Sequence, residues 1–254
     1  VTGTARFSPG ELERYARHIV LREVGGPGQA RLKRARVLVI GAGGLGAPAL
    51  MYLAAAGVGH LGIVDDDTVS LSNLQRQVIH DTAAIGARKV DSAAAALARI
   101  NPHVTVTGHA MRLTAGNAGL VAGHDLVLDG SDNFPTRHAV NAACVAAGVP
   151  LVAAAITQWE GQISLYHPAA GAPCFACVFP QVPADGLAPS CAEAGVMGAL
   201  AGIVGAMMAA EAIRLLTGAG RTLAGRLLIH DALWGESREI AITRDPACPV
   251  CGRS

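Results

Sequence analysis

The sequence is poor in the residues that grip nucleic acid. Lys33 and Lys89 are its only lysines, charged residues make up 15%, and aromatics make up 4%. Soluble domains usually carry about 25% charged residues. Lys and Arg total 20 against 19 Asp and Glu, a net charge of +1, and no basic run occurs. That excludes a concentrated phosphate-tracking face, and few side chains remain to stack on single-stranded bases. No direct nucleic-acid partner is expected. The first residues carry Arg6, Glu11, Glu13, Arg14 and Arg17 and no apolar leader core. One stretch invites comparison with a membrane span: Ala194 to Ala210 has no charge and is 17 residues, rich in Gly and Ala, bounded by Glu193 and Glu211. It falls short of the ~20 apolar residues a membrane span needs, so it reads as a core or interface helix and no membrane partner is expected. A cytoplasmic, reducing setting follows, in which cysteines bind metal or do chemistry rather than pair as disulfides. There is no internal repeat, and no G-x-x-x-x-G-K-[ST], so a P-loop is excluded.

What is abundant is apolar residues, 51%, and glycine, 31 of 254. Ser8-Pro9-Gly10-Glu11 reads as a capping box with Pro at the first helical position. Leu12, Tyr15, Ala16, Ile19 and Val20 follow as one apolar stripe, and Gly25–Gly28 is expected to end that helix and begin a linker. Strands are then expected at Val37–Ile40, Leu61–Val64, Val104–Thr107, Leu126–Leu128 and Leu151–Ala155. Helices are expected at Leu45–Ala56, Lys89–Arg99 and Pro135–Ala147. Strands alternating with helices imply right-handed crossovers and a parallel sheet. After about residue 155 the rhythm changes: Gln162–Tyr166, Arg226–His230 and Glu239–Thr243 read as strands and Pro180–Pro189 as a loop. One domain over 1–254 is expected, in three parts: 8–28, a nucleotide-binding part over 36–155, and 156–254.

Gly41-Ala42-Gly43-Gly44-Leu45-Gly46 is a G-x-G-x-x-G between a strand and a helix. Such a turn brings backbone and a helix N-terminus up to a phosphate. Asp65, 24 residues after Gly41, ends the next strand, where a carboxylate accepts from ribose hydroxyls. A NAD(P)-dependent oxidoreductase would show the same turn and the same Asp. Ser72-Asn73-Leu74-Gln75-Arg76, Lys89 and Asp132-Asn133 favour a triphosphate instead. Arg and Lys neutralise charge building in nucleotidyl transfer, and Asp132, at the carboxyl end of a strand, suits a divalent cation on the phosphates.

Four of the six cysteines form Cys174-Phe175-Ala176-Cys177 and Cys248-Pro249-Val250-Cys251. Two C-x-x-C knuckles give zinc four thiolates; a redox pair is the competing reading. Cys144, in an Ala-rich helix, reads as core. Cys191 lies outside both knuckles.

Together, Gly41–Gly46, Asp65-x-Asp67, Ser72–Arg76, Lys89, Asp132-Asn133, the paired C-x-x-C and Pro189-Ser190-Cys191-Ala192-Glu193-Ala194-Gly195-Val196 resemble the ThiF/MoeB adenylyltransferases, relatives of the ubiquitin-activating enzymes. The resemblance runs from Tyr15-Ala16-Arg17 to Cys251. It implies a Rossmann-like α/β fold: a mostly parallel sheet, a more irregular and partly antiparallel C-terminal half, and a zinc site of four cysteines. It further implies that ATP·Mg²⁺ and a small ubiquitin-fold sulfur carrier protein ending in Gly-Gly bind, the carrier's carboxylate being adenylated with release of pyrophosphate. By this resemblance Gly41, Gly43 and Gly44 lie against the nucleotide and Asp65 and Asp67 serve the ribose end. Asn73, Arg76 and Lys89 face the phosphates, Ser72, Leu74 and Gln75 belong to the same nucleotide site, Asp132 holds Mg²⁺ beside Asn133, and Arg17 reaches ATP in the other subunit of a homodimer. Thiamine, molybdopterin, cysteine, tRNA thiolation and specialised-metabolite pathways all stay open.

Some relatives continue into a rhodanese domain. With the sequence running to Ser254, the expectation is a separate sulfur donor, a rhodanese or a cysteine desulfurase. Residues 179–191 look closer to the MoeZ and tRNA-thiolation type. Cys191 stands between two readings, a nucleophile that takes the carrier in a second covalent step and a small loop residue. An inactive scaffold that docks a carrier is a further alternative to the enzyme, although it would need none of Arg76, Lys89 and Asp132.

Overall fold

The structure is a computed structural model that describes residues 6–181 and 194–252. Its centre is one eight-stranded sheet in the order β3-β2-β1-β4-β5-β6-β7-β8. The strands are β1 Arg36–Ile40, β2 His60–Val64, β3 Thr105–His109, β4 Leu126–Asp129, β5 Leu151–Thr157, β6 Glu160–Tyr166, β7 Arg226–Asp231 and β8 Glu236–Ala241. β1 to β5 run parallel; β6, β7 and β8 are antiparallel additions. The parallel strands β1, β2 and β4 are short apolar runs buried on both faces, as strands covered by helices on two sides must be. The expected α/β architecture, with its antiparallel C-terminal half, is what forms.

Helices α3 Gly46–Ala56, α4 Lys89–Ile100 and α7 Gly198–Thr217 cover one face, where Leu50, Leu53, Leu97, Leu200 and Met208 pack against Val39, Leu61 and Ile63. Helix α5 Phe134–Ala147 covers the other, with Val140 and Cys144 on Val127 and Leu151. Each fully buried aliphatic side chain of this kind contributes about 1.5–3 kcal/mol of transfer free energy. The short α6, Phe175–Val178, carries the first cysteine knuckle.

Several boundaries depart from the sequence reading. Gly25–Gly28 is not a linker but the first turn of α2, Gly25–Arg34, which buries Gln29 and Leu32. Gln29 Nε2 donates to Ala56 O at 2.8 Å, a tertiary contact that outweighs the poor helix propensity of glycine. In α1, Pro9–Ile19, the capping box forms as expected, but of the apolar stripe only Tyr15 is buried, while Leu12 and Val20 are exposed. β3 and β8 begin at Thr105 and Glu236 rather than at Val104 and Glu239. The long apolar helix starts at Gly198, not Ala194, and continues past Glu211. It is the one helix among the described residues long and apolar enough to cross a membrane. It packs instead on α3, β5 and β6, and Glu211 is fully buried there, accepting from Leu223 N at 2.6 Å and pairing with Arg214.

Candidate functional site

The carboxyl ends of β1, β2, β3 and β4 border a cavity of about 280 Å³, the place where open α/β sheets take ligands. The ends are tied together by backbone: Gly41 N donates to Val64 O at 2.8 Å, Gly130 N to Ile40 O at 3.0 Å, and Asp65 N to His109 O at 3.2 Å. The turn after β1 needs glycine at two points. Gly41 has φ +90°, and a Cβ on Gly46 would stand 1.8 Å from Gly41 O. The chain therefore doubles back closely enough to aim the first turn of α3, which has no side-chain cap, into the cavity. Free N–H groups at a helix start favour an anion there.

Asp65 anchors this turn. Its Oδ2 accepts from Ala42 N at 2.8 Å and its Oδ1 from Asp67 N at 2.9 Å, and each oxygen keeps a lone pair for a further donor. Burial pushes its carboxyl above the usual carboxylate range, while Lys89 and those two N–H groups pull it back. Lys89, 4% exposed, pairs with Asp67 Oδ2 at 2.8 Å. Arg76 is held by Ser72 O at 3.2 Å and Asn73 Oδ1 at 3.1 Å.

Of the residues singled out from sequence, Gly41, Gly43, Gly44, Asp65, Asp67, Arg76, Lys89, Asp132 and Asn133 all line this cavity. Ser72, Asn73, Leu74 and Gln75 do not line it: Ser72 and Asn73 hold Arg76 from behind, and Gln75 O stands against the start of α7 at Gly198. Asn133 accepts from Thr136 N at 2.9 Å as the N-cap of α5. Asp132 is exposed, 3.3 Å from Asn133 Nδ2. Arg17 is exposed on α1 and is not part of this cavity wall. Cys191, Glu193 and most of Pro180–Pro189 lie outside the described residues.

Gln77, Met111, Arg112, Thr136 and Arg137 also line the cavity and escaped sequence reasoning. Arg137, for example, reads in isolation as a helix-surface charge, yet it is buried and donates to Ser131 O at 2.5 Å. His80, also missed, supports the glycine turn from below: Nε2 lies 2.9 Å from Ala42 O and Nδ1 2.9 Å from Ser92 Oγ. Burial pushes its pKa down.

A second site lies between α6 and residues 248–251. Sγ of Cys174 is 3.8 Å from that of Cys177 and 3.7 Å from that of Cys248, and Cys177 and Cys251 are 3.4 Å apart. A ZnS₄ tetrahedron with bonds of about 2.3 Å has edges of about 3.8 Å, so the four sulfurs fit one zinc. None of the four is in a disulfide. Asn141 Nδ2 donates to Cys174 Sγ at 3.7 Å and Asp245 N to Cys177 Sγ at 3.5 Å, the outer contacts that orient thiolate ligands. Burial pushes the Cys174 and Cys177 thiols up. At Cys248 burial acts the same way, but the N–H groups of Cys251 and Val250 outweigh it and bring the thiol down to about 7.

Known proteins resemble this chain. The sulfur carrier protein adenylyltransferase of Thermus thermophilus is 50% identical over 252 residues, covering 97% of this chain and 93% of its own. The molybdopterin-synthase adenylyltransferase of Escherichia coli is 47% identical over 250 residues, 98% of this chain and all of its own. Among solved structures, E. coli MccB in complex with MccA-N7isoASN superposes with a TM-score of 0.84 at 22% identity, covering 94% of this chain and 74% of that one, a likeness of fold. Residues 15–250 match the ThiF family, and with a relative of equal length at nearly half identity, the chain belongs to that family.

Proposed function

We propose that this chain uses ATP to adenylate the C-terminal carboxylate of a ubiquitin-fold sulfur carrier protein ending in Gly-Gly, releasing pyrophosphate. One observation carries the reading: Arg76 and Lys89 share a cavity with the bare N-terminus of α3 and with Asp65. Fixed cations neutralise the charge that builds in nucleotidyl transfer, charge that hydride transfer does not build on a phosphate. The names of the relatives point the same way, one acting on a sulfur carrier protein and the other on molybdopterin synthase.

A carboxylate is already anionic at pH 7, so its attack on the α-phosphate needs no general base. Its oxygen bonds to phosphorus as the bond to the bridging β-oxygen breaks, and pyrophosphate leaves with that electron pair. The barrier is charge repulsion. Arg76, held at two points, and Lys89, packed in the wall, supply positive charge that does not have to reorganise during the reaction. Asp132 would hold Mg²⁺ together with the phosphates, a fit for an exposed carboxylate; the ion supplies further charge neutralisation when bound. The four cysteines would hold a structural Zn²⁺ away from this chemistry.

A homodimer is part of the same reading. From Ala199 to Ala210 the outward face of α7, with Gly202, Ile203, Ala206 and Met207, carries no charge, and a second copy would cover it. Arg17, exposed on α1, would then serve the other copy's cleft. A separate rhodanese or cysteine desulfurase would supply sulfur.

The test is ATP–pyrophosphate exchange. It is expected only when a small carrier with a free Gly-Gly carboxylate is present. Arg76→Ala should lower it by at least ~10²-fold, about 2.7 kcal/mol of transition-state stabilisation. Undiminished exchange in that variant, or exchange without carrier, overturns the reading.

A further inference from the structure

Three consecutive aspartates leave β2, and each is committed to a different part of the cleft. Asp65 holds the glycine turn through Ala42 N. Asp67 pairs with Lys89. Asp66 pairs with Arg112, its Oδ2 lying 3.2 Å from the guanidinium. The first two contacts have evident structural work, since they fix a turn and neutralise a buried ammonium. The third is open to solvent on both sides, with Arg112 59% and Asp66 44% exposed, and exposed pairs of this kind add little to stability. What the pair does is hold a planar cation against the cavity wall, where Arg112 is a lining residue.

The strand order says which part of a nucleotide that cation meets. The glycine turn follows β1, Asp65 follows β2 and Arg112 follows β3, each one strand further out along the same edge. Neighbouring strands stand about 4.8 Å apart. With phosphates at the glycine turn and ribose at Asp65, the next position outward is that of the base. Met111 and Leu113, on either side of Arg112, line the same cavity and belong to the apolar cluster behind it.

We propose that the Arg112 guanidinium, positioned by Asp66, stacks on the face of the nucleobase and gives the cleft its affinity for the nucleoside part of ATP. The proposal rests on the nucleotide reading above. Arg112 is a base-binding residue, and Asp66 acts through it as a positioning residue. A stacked guanidinium combines cation–π attraction with planar contact. Its loss is therefore felt by ligands that carry a base and not by bare polyphosphate.

The experiment compares binding of ATP, AMP and inorganic tripolyphosphate to the full chain by calorimetry. Arg112→Ala should weaken ATP and AMP about tenfold and leave tripolyphosphate within about twofold. Unchanged tripolyphosphate binding also reports that the cleft is folded. Arg112→Lys, which keeps the charge and loses the plane, should fall between wild type and Arg112→Ala. Asp66→Asn should repeat the selective loss at smaller size. Equal weakening of ATP and tripolyphosphate would make Arg112 a phosphate ligand, and no weakening of either would make it a solvated charge; both results overturn the proposal. A wild-type chain that binds none of the three overturns the nucleotide reading and this proposal with it. A wild-type chain that binds ATP while Arg112→Ala binds it equally well overturns this one alone.

Discussion

The cleft and the cysteine cluster are both gathered from residues distant in the chain, yet they are held in different ways. In the cleft, backbone bonds between adjacent strand ends, from Gly41 to Val64, Asp65 to His109 and Gly130 to Ile40, set the distances before any ligand arrives. At the cluster, among the described residues, Ala176 is the one other buried apolar residue grouped with the four cysteines, aided by half-buried Val145 and Val250. Four sulfurs this close could hold one metal ion, which would add to what so small an apolar cluster supplies. The contrast separates a site that is a by-product of the sheet from a site whose ligand, on the zinc reading, would be part of the fold.

The sharpest test of that contrast is metal removal. Zinc should be present at one per chain, and chelation or Cys248→Ser should remove it. The destabilisation should reach at least about 4 kcal/mol, a fraction of the 10–16 kcal/mol that zinc supplies to small thiolate peptides. In a chain of this length that is about 10 °C in melting temperature. ATP affinity of the remaining folded protein should stay within about twofold. If ATP binding collapses with the zinc, the two sites are not held independently.

Next in size is the glycine turn. Gly46→Ala drives a methyl group onto the backbone carbonyl of Gly41, which is no flexible side-chain end that could yield. A loss of about 3 kcal/mol in denaturant unfolding is expected, together with loss of nucleotide binding and retention of zinc. Retained ATP binding would show that the turn tolerates remodelling.

A smaller effect comes from acid. Burial holds the His80 pKa below its ordinary 6.5, so the folded state favours the neutral ring that bonds Ala42 O. Its contribution is complete above pH 6.5 and is lost as pH falls through that value toward the folded one, at up to about 1.4 kcal/mol per pH unit. Urea unfolding at pH 7.5 and 5.5 should show wild type losing more stability on acidification than His80→Gln. An equal or steeper slope in the variant removes His80 from the account. Smallest of all is Glu239→Ala. It breaks the 2.5 Å pair with Arg226 between β7 and β8 and should change stability by no more than about 1 kcal/mol. A larger loss would mean that the antiparallel edge, and not the metal, secures this half of the molecule.

Most of the parallel half was legible in sequence because its signals are local. Val37–Ile40 followed by a glycine turn, and Leu126–Leu128 followed by Asp132, announce strand ends and what they carry. The four cysteines were legible as spacing, and Arg76, Lys89 and Asp132 as charges in that setting. What escaped depends on tertiary contact. Gly25–Gly28 reads as a breaker until Gln29 is seen bonding Ala56. Glu211 reads as a helix boundary until Leu223 N and Arg214 satisfy it inside the core. Arg112 and Arg137 look like ordinary surface charges until the strand order brings them to one cavity. Local chemistry names the strong ligands, and the topology recruits the rest.

The distance along the chain between the two cysteine knuckles also orders events in time. Cys174 and Cys248 are 74 residues apart. At about 5–20 residues per second, the ribosome takes about 4–15 s to pass from the first knuckle to the second. The strands that frame the cleft, ending with β4 at Asp129, have been made by then. For that interval Cys174 and Cys177 are a two-thiolate site, and the clasp closes only when Cys248 and Cys251 emerge. On the zinc reading, metal capture is a late step of biogenesis, fastened onto strands that were synthesised before it.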